Sequence, residues 1–151
     1  VANLEQKVVK ATAKVFEKIQ ADLRPTPAKT HYTFNLRDFS AVICGLTMAD
    51  AKDVTSANQL IRLWAHETCR VFGDRLINND DRMWMLEMVK SCFQNPFSAQ
   101  FDGVLAHLDL DGNNKIETLD EFRGLMWGDI YTAFGMSDRP YVEIMDKEKL
   151  Q

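Results

Sequence analysis

The chain has 151 residues, 46% hydrophobic and 26% charged, enough for one domain with a real core or a small domain plus an extension. Its net charge of -4 argues against a broad nucleic-acid surface, and no apolar run approaches the roughly 20 residues that span a bilayer. Three widely spaced cysteines, Cys44, Cys69 and Cys92, sit in apolar helical patterns and read as buried free thiols, not as a disulfide or zinc framework.

Residues from about 3 to 23 read as an amphipathic helix, with Leu4, Val8, Ala11, Val15, Ile19 and Leu23 at spacings of three and four. Lys7, Lys10, Lys14 and Lys18 share the opposite side and read as a solvated face. Val1 opens directly into this pattern without an initiator methionine, which reads as a segment of a longer protein. Arg24-Pro25-Thr26-Pro27 ends the helix, because residues before proline are pushed out of the helical region. A second helix follows from Leu36 to about Leu46, with Leu36, Phe39, Ile43 and Leu46 inward and Gly45 close to its end. Asn35 is its N-cap and Asp38 the capping-box partner, while Phe34 and Phe39 have the spacing of a hydrophobic staple. Arg37 falls in the first turn, where the macrodipole disfavours a cation by up to about 1 kcal/mol. Two readings follow: an external phosphate or carboxylate completes the site, or Arg37 pairs with Asp38 or solvent.

A polar link from Thr47 to Thr55 leads to a second capping signal at Ser56-Ala57-Asn58-Gln59 and to the longest expected helix, reaching about Leu76. Leu60, Trp64, Val71 and Phe72 form its buried side, Arg70 and Asp74 are placed to pair, and His66 falls at a helix contact. His66-Glu67 resembles the start of a zinc-protease motif, but Arg70 stands where the second histidine is needed. Asn78-Asn79-Asp80-Asp81 caps a helix carrying Met85, Leu86, Val89, Cys92 and Phe93, with Met83, Met85 and Met88 filling gaps. Asn95-Pro96 breaks it, and a shorter helix carries Phe97, Phe101, Val104, Leu105 and Leu108. Thr118 and Glu121 form a third capping box opening a helix to about Trp127, with Gly128 beyond. Tyr141-Val142-Glu143-Ile144 alternates like a strand with no partner strand elsewhere in the chain, so the tail is expected to point outward, toward something the chain lacks. The fold class is mainly α, with a short extended C-terminal segment.

Asp109-Leu110-Asp111-Gly112-Asn113-Asn114-Lys115-Ile116 resembles an EF-hand calcium loop, with Asp109, Asp111, Asn113, Lys115 and Asp120 at the ligand positions. Asn114 replaces the turn glycine, and the short Asp120 stands where a bidentate glutamate belongs. Glu121 is one residue out of frame and better used by the Thr118 capping box. A calcium-binding helical module is the alternative reading; the plainer one is a loop whose Asp and Asn residues supply turns and caps. The chain has no Gly-rich phosphate loop, no serine nucleophile elbow and no Cys-X-X-Cys, so by itself it lacks a complete catalytic apparatus.

Pro25-Thr-Pro-Ala-Lys-Thr-His-Tyr-Thr-Phe-Asn-Leu-Arg-Asp38 resembles the signature in the small helical (lid) subdomain of the third AAA+ module of dynein heavy chains. Leu63-Trp-Ala-His-Glu-Thr-Cys-Arg-Val-Phe-Gly-Asp-Arg-Leu76 is similar to the second signature of that subdomain, and Leu125-Met-Trp-Gly-Asp129 with Tyr141-Val-Glu-Ile144 to its exit toward the fourth module. The Phe-Asn-Leu-Arg-Asp wording resembles axonemal dyneins more than cytoplasmic ones. The resemblance implies a bundle-like lid over residues 1–128 and a connector over 129–151. It implies that Arg37 is the second sensor arginine, supported by Asn35 and Asp38, reaching toward ATP or ADP with magnesium in the intact module. No cofactor is expected for the chain alone. The implied partners are the upstream large AAA+ subdomain, neighbouring modules, microtubules and accessory dynein chains, with no nucleic acid or membrane, in the axoneme of a cilium or flagellum.

Overall fold

The computed structural model describes residues 2–129 and 140–145. Helix α1 (Ala2–Asp22) buries Val8, Ala11, Val15 and Ile19, the stripe expected from spacing. It packs against α2 (Leu36–Thr47), α3 (Ala57–Val71) and α4 (Asn79–Cys92). At its centre Trp64 of α3 is fully buried and donates its indole N–H to Thr12 Oγ1 at 3.0 Å, while that hydroxyl donates to the Val8 carbonyl at 2.8 Å. The lysine face of α1 is not wholly solvated. Lys7 Nζ reaches the Phe97 carbonyl at 3.2 Å, and Lys14 Nζ reaches those of Ser91 (3.3 Å) and Asn95 (3.0 Å). Lys14 thus caps the last turn of α4, where a helix end leaves carbonyls unpaired, and both cations satisfy carbonyls of the Phe93–Phe97 turn that follows.

Three expectations about α2 and α3 need correction. Leu36 is 73% exposed, and Val42 and Gly45 are the buried residues of α2, with Phe39, Ile43 and Leu46 half-buried beside them. Cys44 falls on the exposed side of that helix, whereas burial pushes the Cys69 thiol up to about 12 and Cys92 is buried. The longest helix is α1, because α3 ends at Val71 and a 3₁₀ turn at Gly73–Arg75 carries the chain to Leu76.

Beyond α4 the chain turns widely through Phe93–Phe97, where Asn95 is extended before a cis Pro96. The helices expected after it shrink to single turns: α5 (Phe101–Val104), a 3₁₀ turn at Ala106–Leu108, and α6 (Leu119–Phe122). Their aromatic side chains still pack inward, Phe101 against Phe93 at 4.9 Å between ring centres. The segment read as the end of a helix is instead strand β1 (Trp127–Gly128). It pairs antiparallel with β2 (Val142–Glu143), Trp127 opposite Glu143. Ile144 is buried and donates its amide to the Met126 carbonyl at 2.8 Å. The tail strand therefore has a partner and returns to the helical body.

Candidate functional site

The Pro25–Asp38 segment is built as a loop pinned at several points, followed by a capped helix start. Lys29 N donates to the Thr26 carbonyl at 2.9 Å and Tyr32 N to the Lys29 carbonyl at 3.2 Å, folding the proline-bounded stretch into turns. Tyr32 is buried; its hydroxyl donates to Asp81 Oδ2 at 2.8 Å and accepts from Ile77 N at 3.0 Å. Lys29 forms an ion pair with the same carboxylate. Burial alone would raise the Asp81 carboxyl, but the hydrogen bonds from Lys29 and Tyr32 outweigh it and hold it below the usual range. Phe34 is buried against Phe72, ring centres 5.9 Å apart, and Gln20 of α1 donates to its carbonyl at 2.9 Å. Phe39 meets Phe16 of α1 edge-on.

The expected capping box is complete. Asn35 is extended, its Oδ1 accepts from Arg37 N (2.9 Å) and Asp38 N (3.4 Å), and its own amide donates to Asp38 Oδ2 (2.8 Å). Those first-turn amides are thus engaged internally, so the guanidinium of Arg37, not the helix amides, is what an external anion would meet. Arg37 is exposed, and its side chain pairs with no carboxylate among the described residues. Its neighbour Asp38 is engaged elsewhere, through Oδ1 to Arg75 Nη1 at 3.0 Å.

Arg75 escaped the sequence reading. Its Nη2 also donates to the carbonyls of Thr33 (2.9 Å) and His31 (3.1 Å), its guanidinium lies 4.7 Å from the centre of the Phe34 ring, and His31 Nε2 returns to the Arg75 carbonyl at 3.1 Å. The arginine lies inside the second signature, but nothing local links it to a loop some forty residues earlier; only the fold joins the two signatures.

A second polar centre forms around Glu67, which is fully buried. It accepts from Arg70 Nε (2.9 Å) and Nη2 (2.6 Å) and from the Tyr141 hydroxyl (2.6 Å). Arg70 therefore pairs with Glu67 rather than Asp74. His66 bonds through Nδ1 to the Leu125 carbonyl at 3.1 Å, a contact with the loop after α6 and not with a helix. Burial lowers the His66 and His107 imidazoles below their ordinary value; the Leu125 carbonyl and Glu143, respectively, oppose this in part. A histidine lowered in the folded state contributes stability that is present above about pH 6.5 and lost as pH falls through its folded value. The unfolding free energy obtained from urea titrations is accordingly expected to drop between pH 7.5 and 5.5, by less than about 1.4 kcal/mol per pH unit for each group. In His66→Gln the slope is expected to flatten; an unchanged slope would remove His66 from this account.

In the acidic loop, Asp109, Asp111 and Glu121 bring carboxylate oxygens within 4.8 Å of one another. Asp120 is not among them; it lies 3.2 Å from Arg123 Nη1. Asp109 accepts from the amides of Asn114 (2.7 Å) and Gly112 (2.8 Å), both in the left-handed region, and Asn113 Oδ1 accepts from Lys115 N at 2.7 Å. A hydrogen bond with Asp109 raises the Asp111 carboxyl. Glu121 closes the Thr118 capping box, accepting from Thr118 N at 2.9 Å and Glu117 N at 3.1 Å. The oxygens of Asp109 and Glu121 serve the turn and the cap, as in the plainer reading.

Residues 8–107 match the AAA+ lid domain family. The chain is 41% identical over 144 residues to dynein axonemal heavy chain 12 of Rattus norvegicus, a stretch covering 95% of this chain and 5% of that protein. It is 50% identical over 94 residues to dynein axonemal heavy chain 1 of Homo sapiens, covering 62% of this chain and 2% of that protein. Against dynein axonemal heavy chain 3 of Mus musculus it is 42% identical over 139 residues, 92% of this chain and 3% of that protein. The chain thus spans no more than 5% of the length of these curated relatives. The family match runs over more than half of the chain's length, and the chain belongs to the AAA+ lid domain family.

Proposed function

We propose that this chain is the nucleotide-sensing lid of the third AAA+ module of an axonemal dynein heavy chain, an ATP-driven microtubule motor, and that Arg37 is its second sensor. The observation that carries the reading is the exposed Arg37 guanidinium, free of any carboxylate among the described residues, on a helix start fixed by a complete capping box. A polyphosphate fits that donor set, because an arginine fork matches phosphate geometry and no carboxylate among the described residues pairs with it. Magnesium-bound ATP or ADP, held mainly by an upstream large subdomain, supplies the anionic phosphates that such a cation senses. Arg37 then makes a charge-assisted contact of about 1.5–3 kcal/mol in the closed arrangement. Asn35 and Asp38 hold its helix in place, and α2 packs on α1 and α3. Because only the closed lid makes this contact, the contact energy biases closure. Residues 129–151 serve as the connector toward the next module. The upstream subdomain and neighbouring modules are the direct partners. Microtubules and accessory chains are partners of the parent motor, which works in the axoneme. The chain alone does not turn over ATP.

In the parent heavy chain, Arg37→Ala is expected to weaken nucleotide binding at this module by about tenfold or more. The thermal stability of the lid is expected to stay within about 0.5 kcal/mol, as for an exposed side chain. Unchanged nucleotide affinity would sink the sensor assignment, and a large loss of stability would make Arg37 a structural residue.

A further inference from the structure

We propose that Arg75 is the positioning residue of the nucleotide sensor, fixing the start of α2 and keeping Asp38 away from Arg37; the inference rests on Arg37 sensing phosphate. Between Asp22 and Leu36 the chain has no helix, so side chains from elsewhere must set the angle at which α2 begins. Arg75 grips this junction on both sides of the N-cap. Before Asn35 it holds the carbonyls of His31 and Thr33, and after it the Asp38 carboxylate. Its guanidinium plane also covers Phe34, the residue next to the cap. Asp38 in turn closes the capping box with its other oxygen, so one arginine braces the loop, the cap and the first turn together. A lysine offers one nitrogen where this arrangement uses a fork, and it cannot reproduce all these contacts at once.

The second consequence is electrostatic. Asp38 is the carboxylate adjacent to Arg37 in sequence, and unpaired it would be both a competing partner for that cation and a repulsive charge beside incoming phosphate. Arg75 sits 3.0 Å from it, in a pair whose side chains are 30% and 19% exposed, and offsets its charge. Arg37 is left with its positive charge uncompensated by its neighbour. Arg75 thereby links the second signature to the first: the turn that ends α3 sets both the aim and the availability of the sensor.

The test is equilibrium binding of a fluorescent ADP analogue to this module in the parent heavy chain, in the wild type and in Arg37→Ala, Arg75→Ala and the double variant. Arg75→Ala is expected to weaken binding about tenfold, and the double variant to bind no more weakly than Arg37→Ala alone, because Arg75 acts through Arg37. Adding Asp38→Asn to Arg75→Ala is expected to recover part of the loss, since it removes the competing anion while leaving an oxygen for the capping box. A merely structural arginine predicts no such recovery. If Arg37→Ala weakens binding and Arg75→Ala does not, the Arg75 inference fails and the sensor reading stands. If Arg37→Ala changes nothing, the sensor reading itself fails and this inference with it. Losses that multiply in the double variant would overturn a role through Arg37. Should Arg75→Ala leave the lid unfolded, Arg75→Lys carries the same test, with a loss of at least about threefold that vanishes in the Arg37→Ala background.

Discussion

Replacing Gly45 with alanine is expected to destabilise the lid by about 3–5 kcal/mol, although the same change inside an exposed helix stabilises by about 1 kcal/mol. The sign reverses because of Glu67. A Cβ on residue 45 would lie 1.9 Å from Glu67 Oε2 and 2.4 Å from its Cδ, distances no real side chain tolerates. The carboxylate is fully buried, and both of its oxygens are held, by Arg70 and by Tyr141. Moving it aside breaks those bonds and leaves charge unpaired in the interior, which costs far more than a glycine's backbone entropy. Moving α2 aside instead opens its contact with α3. Urea unfolding of Gly45→Ala, Glu67→Ala and the double variant separates these terms. The double variant is expected to lose at least about 1 kcal/mol less than the sum of the singles, because Glu67→Ala removes the clash. Strict additivity would show that Gly45 does not serve Glu67.

Arg62→Ala is expected to release the C-terminal segment from the helical body. Arg62 donates Nε to Glu143 Oε1 at 2.6 Å and Nη2 to Oε2 at 2.8 Å, a bidentate pair with side chains only 12% and 6% exposed. Its Nη1 also reaches the Val104 carbonyl at 3.3 Å. Deleting one partner of such a pair strands the other charge and costs about 3–5 kcal/mol. The loss falls on the β1–β2 pairing, so exchange protection of the Ile144 amide, which bonds the Met126 carbonyl, is expected to drop first. His107 gives a second readout. Its Nε2 is 3.5 Å from Glu143 Oε1, and the Arg62 charge is one of the influences that lower it. In Arg62→Ala its titration is expected to shift upward, measured by imidazole resonances. Unaltered Ile144 protection would mean that strand pairing and the burial of Ile144 hold the segment without Arg62.

What the sequence made legible was local. Asn35 with Asp38, Ser56 with Gln59, and Thr118 with Glu121 all form the expected capping boxes, since each needs only three residues and one backbone geometry. The buried stripe of α1 followed from its period for the same reason. Leu36 was misread because helical period gives a face but not its centre, and the centre of α2 is set by where Glu67 and α3 meet it. The helices expected after Pro96 are longer than the single turns observed. Apolar spacing there reflects side chains packing from successive turns, and single turns satisfy it as well as a continuous helix.

The same division runs through the candidate site. The sequence alone determined that residue 37 is an arginine in the first turn of a capped helix, behind a proline-stiffened loop, and that two separate signatures stand in the order of an AAA+ lid. It could not determine which cation Asp38 takes, because Arg37 was an equally good partner on local grounds. Tertiary structure decided that by bringing Arg75 from the end of α3 onto Asp38, as it brought Tyr141 and Gly45 to Glu67 and Trp127 to Glu143. Caps and periods are interactions among near neighbours, whose geometry the backbone dictates. Which charge meets which across dozens of residues depends on the packing of whole helices, and only the folded chain expresses it.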